Sequence, residues 1–197
     1  MTGLNDREIG VHFIRHAPTE YNRDGRFMGT LDPPIVTQDG LASVRPIAHR
    51  AEAVGYTSPM RRARQTFEVA FPDLSYQVDH RLQERALGEW EGQTWSQVRE
   101  GWPCAFLAGD ALNPRFTPPG GEDINAFWTR IRSFLLDLHN GDSRPAVVVT
   151  HNGCIRAVKA MLGAIEIDDF FVGSEELSHP FFISWSDLRR ANLREVA

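Results

Sequence analysis

Lysine is all but missing from this chain: Lys159 is the only one among 21 basic residues in a sequence of 197. The remainder are arginines, which favour planar, two-pronged contacts to carboxylate or phosphate over point-charge contacts. Cysteine is nearly as scarce. Cys104 and Cys154 are the only two and show no CxxC spacing, so neither a disulfide framework nor a thiolate metal site is suggested, and a reducing compartment suits them. The opening MTGLNDREIG lacks a basic start and an apolar run, which argues against a signal peptide. No apolar run approaches the roughly 18–20 residues of a spanning helix. An excess of positive charge is also absent: the formal charge of −5 and pI near 5.8 argue against nucleic-acid and membrane-surface binding. There are no internal repeats or low-complexity tracts. These absences predict a soluble cytoplasmic protein with no nucleic-acid or membrane partner, and they leave a homodimer open.

Hydrophobic residues at 42% and charged residues at 24% are ordinary for a globular chain, and the length suits one domain spanning 1–197. Val11 to Ile14 reads as a short strand with a polar exit at Arg15. Gly25, Gly29, Pro33 and Pro34 punctuate a long loop from Tyr21 to Asp39, a functional suspect on length alone. Helical periodicity over 37–54 is interrupted by Pro46. A strand at Val54–Thr57 leads into a helix that Ser58 is expected to cap, with Pro59 at its first position. Ser75–Val78 is a further strand candidate. Gly92–Pro119, rich in Trp, Gly and Pro, permits only short helical pieces. Over Glu122–His139, residues Ile124, Phe127, Ile131, Phe134, Leu135 and Leu138 share one helical face, and Gly141 stops it. PAVVVT (145–150) is a nearly continuous β-branched run, typical of a strand buried on both faces. GCIRAVKAMLG then reads as a helix ending near Gly163, and PFFISW as a late strand. Strands alternating with helices predict an α/β fold with a mostly parallel sheet, helices on both faces and a small lid segment at about 92–120.

In such sheets ligands bind beyond the carboxyl ends of the strands. The first strand ends in Arg15-His16, and the buried strand ends in His151 at the start of a helix, where free amides and the macrodipole favour an anion. Arg62 lies on about the first turn of the helix after Val54–Thr57, so a third strand end contributes a guanidinium, and Glu84 lies in a loop stocked with apolar residues. Singly, each has a plainer reading: a histidine at a strand end is usually a satisfied polar group, and Arg61, Arg62 and Arg64 would be a solvated face. Cys154 beside His151 lacks the further ligands a metal needs.

Taken together, the segments carry a resemblance. FIRHAPTEYNRDGRFMGTLDPPI resembles the opening motif of the histidine phosphatase superfamily, also called the phosphoglycerate mutase-like family. YTSPMRRARQTFE, RLQERALGEWEG, PPGGED and VVVTHNGCIRAV are similar to its later motifs, in order. The resemblance implies that His16 is the nucleophile accepting a phosphoryl group. It also implies that Arg15 and Arg62 bind the equatorial oxygens with help from Asn22, that His151 completes the pocket, and that Glu84 is the proton donor. Arg62 is preferred to Arg61 because it directly precedes Ala63 and Thr66 of the motif. Met28, Gly29 and Asn152 fall at substrate-binding positions, and neither cofactor nor metal is implied. The chemistry agrees: two guanidiniums offset a nearly dianionic group, and a neutral imidazole with a fixed tautomer is a competent nucleophile. Leu82, Leu87 and Trp90 are expected to desolvate the carboxyl that protonates a poor leaving group.

Four positions depart from the family pattern: Ala17 for Gly, Pro18 for an acid or amide, Met28 for a polar residue, and Asn152 for Gly. They bear on which ester fits; Met28 makes a more apolar wall, and Asn152 is expected to narrow the pocket. The short, lysine-free stretch from Glu84 to His151 favours a phosphatase acting on a small phosphate ester over a mutase. A weakly catalytic, phospho-ligand-binding regulatory protein is the alternative of another class. Trp95, Trp102, Phe106 and Phe116 are candidates for an apolar lid.

Overall fold

A computed structural model describes residues 9–32, 40, 44, 51–108, 111–141 and 143–191. Five strands, β1 (Gly10–Arg15), β2 (Val54–Thr57), β3 (Tyr76–Val78), β4 (Ala146–Thr150) and β5 (Pro180–Ser184), form one sheet in the order β3-β2-β4-β1-β5. The first four are parallel, and β5 runs antiparallel to β1. Among the described residues, the helices with described bounds are α1 (Glu20–Arg23), α2 (Arg61–Ala70), α3 (Trp95–Gly101), α4 (Ile124–Asn140), α5 (Asn152–Met161) and α6 (Trp185–Arg190).

β4 is central because its sequence suits no other place. All five residues are buried, and the β-branched run has no polar face to offer water. Side chains alternate across it. Val147 and Val149 pack with Ile14, Phe67 and Phe71 on the α2 side, while Ala146 and Val148 pack with Phe127, Ile131 and Leu135 of α4 and with Val158 of α5. Helices therefore cover both faces, and the sheet is mostly parallel. α4 is as long as its apolar face predicts: the Asp123 carboxylate accepts from the amides of Asn125 and Ala126, and Gly141 follows its end.

Two expectations change. Ser58 does not cap α2, which begins at Arg61 after Met60. The Ser58 amide donates to the Val149 carbonyl at 3.0 Å, so one residue past β2 the chain still runs beside β4. The glycine-marked loop opens with the one-turn helix α1, held by a capping box between Thr19 and Asn22. The helix expected over 37–54 lies almost wholly outside the described residues.

The 92–120 segment contains α3 and one 3-10 turn, and it has its own small core. Trp90 is buried there with Leu87, Val98, Ala105 and Leu112, and it stacks on Phe116 with ring centroids 5.6 Å apart. Arg85 ties this unit to the body by donating to the carbonyls of Pro114, Phe116 and Glu122. Among the described residues, no helix is long and apolar enough to cross a membrane.

Candidate active site

The carboxyl ends of β1, β4 and β2 are neighbours in the sheet, and the register places Arg15 opposite Thr150 and Thr57 opposite Val149. His16, His151 and Ser58 are thus the first residues past three adjacent strands. The rings of His16 and His151 lie with centroids 5.3 Å apart, and both are buried. A cleft of about 160 Å³ opens at His16, with Arg15, Arg62 and Glu84 among its lining; His151 is not in the lining and lies fully buried beside His16.

Hydrogen bonding fixes the state of each histidine. His16 Nδ1 is 2.7 Å from the Ala17 carbonyl oxygen, which can only accept; the proton sits on Nδ1 and Nε2 keeps its lone pair. His151 is the reverse. Its Nδ1 accepts from Arg62 Nε at 3.3 Å, so Nε2 carries the proton and donates to Ser58 Oγ at 2.7 Å. Burial, followed by the charges of Arg62 and Arg15, pushes the His16 pKa well below its ordinary value, and burial with Arg62 does the same to His151. Burial alone lowers His12, on β1, to about 4.

These depressed values make stability depend on pH with a definite sign. Unfolded histidine takes up a proton below about 6.5, and the folded groups do not, so stability is full above that pH and is lost as pH falls. Each histidine still neutral in the folded state at pH 5 weakens folding by about 2 kcal/mol relative to pH 7. In phosphate-free buffer the melting temperature is expected to drop by on the order of 10 °C between pH 7 and pH 5. A flat profile in calorimetry would contradict the neutral assignment.

The two site arginines are held differently. Arg62, fully buried, donates to the Leu31 carbonyl at 2.6 Å and the Gly29 carbonyl at 2.9 Å, with Asp32 3.6 Å away. Arg61 is exposed and is not part of the cleft lining. Gly29 makes this possible: its φ is +50°, and a Cβ there would stand 2.1 Å from Glu91 Oε1. Arg15 donates through Nη1 to Ser174 Oγ at 2.5 Å and to the Glu175 carbonyl at 2.7 Å, while its buried Nε has no protein partner.

The Glu84 carboxylate accepts from the amide of Arg85 at 3.0 Å and from that of Gly153, in the first turn of α5, at 3.1 Å. Of the apolar residues expected around it, only Leu87 lines the cleft. Leu82 is in the main core and Trp90 in the smaller one. Asn22 lines the cleft with its side-chain oxygen taken by Thr19. Met28 lines it too, its sulfur accepting from Thr19 Oγ1 at 3.3 Å. Asn152 lines it as well, with its side-chain oxygen turned to the Glu175 amide, 2.7 Å away.

Arg15, His16, Asn22, Met28, Gly29, Arg62, Glu84 and Asn152 all line the cleft, and His151 stands beside it against Arg62 and His16. Of the four positions that depart from the family pattern, only Ala17 and Pro18 are not in the lining, and Ala17 is fully buried in the α2-side core. The aromatic lid is also reassigned. Among the described residues, the apolar wall is Phe27, Met28, Leu87, Phe170 and Phe171; Trp102, Phe106 and Phe116 pack on the small core, and Trp95 is exposed, against the rings of Phe27 and Phe106. Sequence reasoning missed Ser58, although it stands in a quoted motif, because a serine before Pro59 reads as a cap. It also missed the 169–175 segment, which carries no motif. No group of three or more His, Cys, Asp and Glu among the described residues could hold a metal ion. Cys154 is buried, its Sγ near the carbonyls of Leu82 and Gln83, and burial pushes its thiol up to about 12.

A parallel sheet with two neutral histidines and two arginines at adjacent strand ends defines a class, and comparison supplies its name. The chain belongs to the histidine phosphatase superfamily (branch 1), whose family model matches residues 11–174. It is 34% identical over 173 residues to a glucosyl-3-phosphoglycerate phosphatase of Mycolicibacterium vanbaalenii, covering 80% of this chain and 75% of that one. It is 26% identical over 177 residues to phosphoserine phosphatase 1 of Hydrogenobacter thermophilus, covering 83% and 80%. Among solved structures, a phosphoglycerate mutase from Thermus thermophilus superposes with a TM-score of 0.69 at 31% identity, covering 95% of this chain and 98% of that one. Members of the family are thus named as phosphatases or as mutases.

Proposed function

We propose that this protein is a metal-independent phosphomonoesterase that works through a phosphohistidine at His16. The observation that carries the reading is the His16 tautomer: Nδ1–H is committed to the Ala17 carbonyl, and the Nε2 lone pair is left for phosphorus between two arginines. In the first step Nε2 bonds to phosphorus while the ester P–O bond breaks, and the departing oxygen takes a proton from Glu84. In the second, water attacks phosphorus, the P–N bond breaks, and the Glu84 carboxylate takes the water's proton. Arg15, Arg62 and Asn22 offset and orient the phosphoryl oxygens, and His151 completes the pocket.

The wall of Phe27, Met28, Leu87, Phe170 and Phe171 favours esters of small apolar alcohols. A mutase needs groups to retain a second phosphate. Lysine is absent between Glu84 and His151, and Arg85 has its donors on three backbone carbonyls. The test is to supply 3-phosphoglycerate and an aryl monoester such as p-nitrophenyl phosphate in parallel. Free phosphate from the aryl ester, with little 2-phosphoglycerate formed from the other, is expected. Efficient formation of 2-phosphoglycerate would replace this reading with the mutase, and tight phosphate binding without turnover would replace it with a regulatory, phospho-ligand-binding role.

A further inference from the structure

α5 places Asn152, Arg156 and Lys159 on one face, at spacings of four and three residues. All three reach the same stretch of chain. Arg156 donates to the carbonyls of Phe170 at 2.7 Å, Asp169 at 2.6 Å and Val172 at 2.7 Å. Asn152 Oδ1 accepts from the Glu175 amide at 2.7 Å and from Ser174 Oγ at 3.3 Å. The Glu175 carboxylate is gripped at both oxygens, by Arg156 at 3.3 Å and by Lys159, the chain's only lysine, at 2.6 Å. Glu175 and Arg156 are about nine-tenths buried in this pairing.

The strap held this way returns to the site. Its Ser174 hydroxyl and Glu175 carbonyl accept both hydrogen bonds from Arg15 Nη1, and the Ser178 amide donates to the Arg15 backbone carbonyl at 3.1 Å. A free arginine side chain costs up to about 2 kcal/mol of rotamer entropy to order at each binding event. Here one end of the guanidinium is already tethered, and Nε is left without a protein partner. Charged pairs this buried are weak stabilisers, since an apolar cluster of similar volume does as well; what they supply is a fixed geometry.

We propose that Glu175 is a positioning residue for phosphate recognition: its clamped side chain holds the Ser174–Glu175 backbone against Arg15 and so fixes the guanidinium toward the phosphoryl group. Asn152 serves the same end by accepting from the Glu175 amide and the Ser174 hydroxyl. The inference rests on the reading of the cleft as a phosphate pocket, so its test measures binding and requires no turnover. Inorganic phosphate is titrated by calorimetry into wild type, Glu175→Ala, Glu175→Gln, Arg15→Ala and the Arg15→Ala/Glu175→Ala double variant, with near-ultraviolet circular dichroism reporting the folded state.

Glu175→Ala is expected to weaken phosphate binding roughly tenfold, as small misplacements of a binding group do. Glu175→Gln should recover part of that, because its amide oxygen still accepts one hydrogen bond from the clamp. In the Arg15→Ala background the second substitution should add nothing, a non-additivity that a purely structural role would not produce. Should Glu175→Ala not fold, Asn152→Gly removes the strap's acceptor while sparing the ion pairs, and a several-fold weakening is expected. Unchanged affinity in the folded variants, or independent losses that multiply in the double variant, would overturn the role of Glu175 and leave the phosphatase reading intact. Wild-type protein that binds no phosphate would remove both.

Discussion

Replacing His16 with alanine is expected to lower kcat by roughly 10⁴-fold or more, with the protein still folded. The arginines and Glu84 stay in place, so residual hydrolysis by direct attack of water remains, but the nucleophile that divides the reaction into two easier steps is gone. His151 cannot substitute. Its Nδ1 lone pair is occupied by Arg62 Nε–H and its Nε2 proton points at Ser58, so neither nitrogen presents free electrons to phosphorus. Wild-type protein quenched in alkali after brief exposure to substrate should therefore carry an acid-labile phosphate on His16, located by mass spectrometry. A label on His151, or turnover in His16→Ala equal to wild type, would sink the assignment.

The second large effect depends on the leaving group. Glu84→Gln preserves shape and leaves an oxygen for the Gly153 amide, but it removes the proton that the leaving oxygen needs. Turnover of an alkyl phosphate should fall by about 10³-fold, within the range general acid catalysis ordinarily supplies. p-Nitrophenyl phosphate, whose leaving group departs without protonation, should lose roughly tenfold or less in the phosphorylation step. Equal losses for both esters would take Glu84 out of the acid's role.

Legibility of the fold followed burial. β4 and α4 were readable because an unbroken β-branched run and a 3.6-residue apolar stripe each admit one placement. His16, His151, Arg15 and Arg62 could be placed near one another because they stand in motifs at the ends of elements, and Glu84 because its motif marks a loop. What stayed hidden depends on contacts between segments distant in sequence. Ser58 stays beside the end of β4 because Val149 accepts its amide, and nothing local in SPM distinguishes that from a cap. Phe170 and Phe171 become a cleft wall only once Arg156 folds the 169–172 carbonyls back onto α5. Asn152 lines the cleft, but that its oxygen accepts from the Glu175 amide is a direction no one-dimensional pattern encodes. Trp95 and Phe106 misled for the opposite reason: aromatic residues near a site satisfy one another as readily as they cover a ligand.

His16, His151 and Ser58 each follow directly on one of three neighbouring parallel strands, and that arrangement sets a length scale. Adjacent strands stand about 4.8 Å apart wherever sheets occur, so the spacing of the reacting groups is inherited from the backbone lattice and no side chain has to enforce it. On the proposed reading, the part of the cleft that would meet the alcohol is built from loops and the strap, which share no such lattice. Such a division lets mutation exchange one ester for another at the rim while the dimensions of the phosphoryl pocket stay pinned to the peptide repeat.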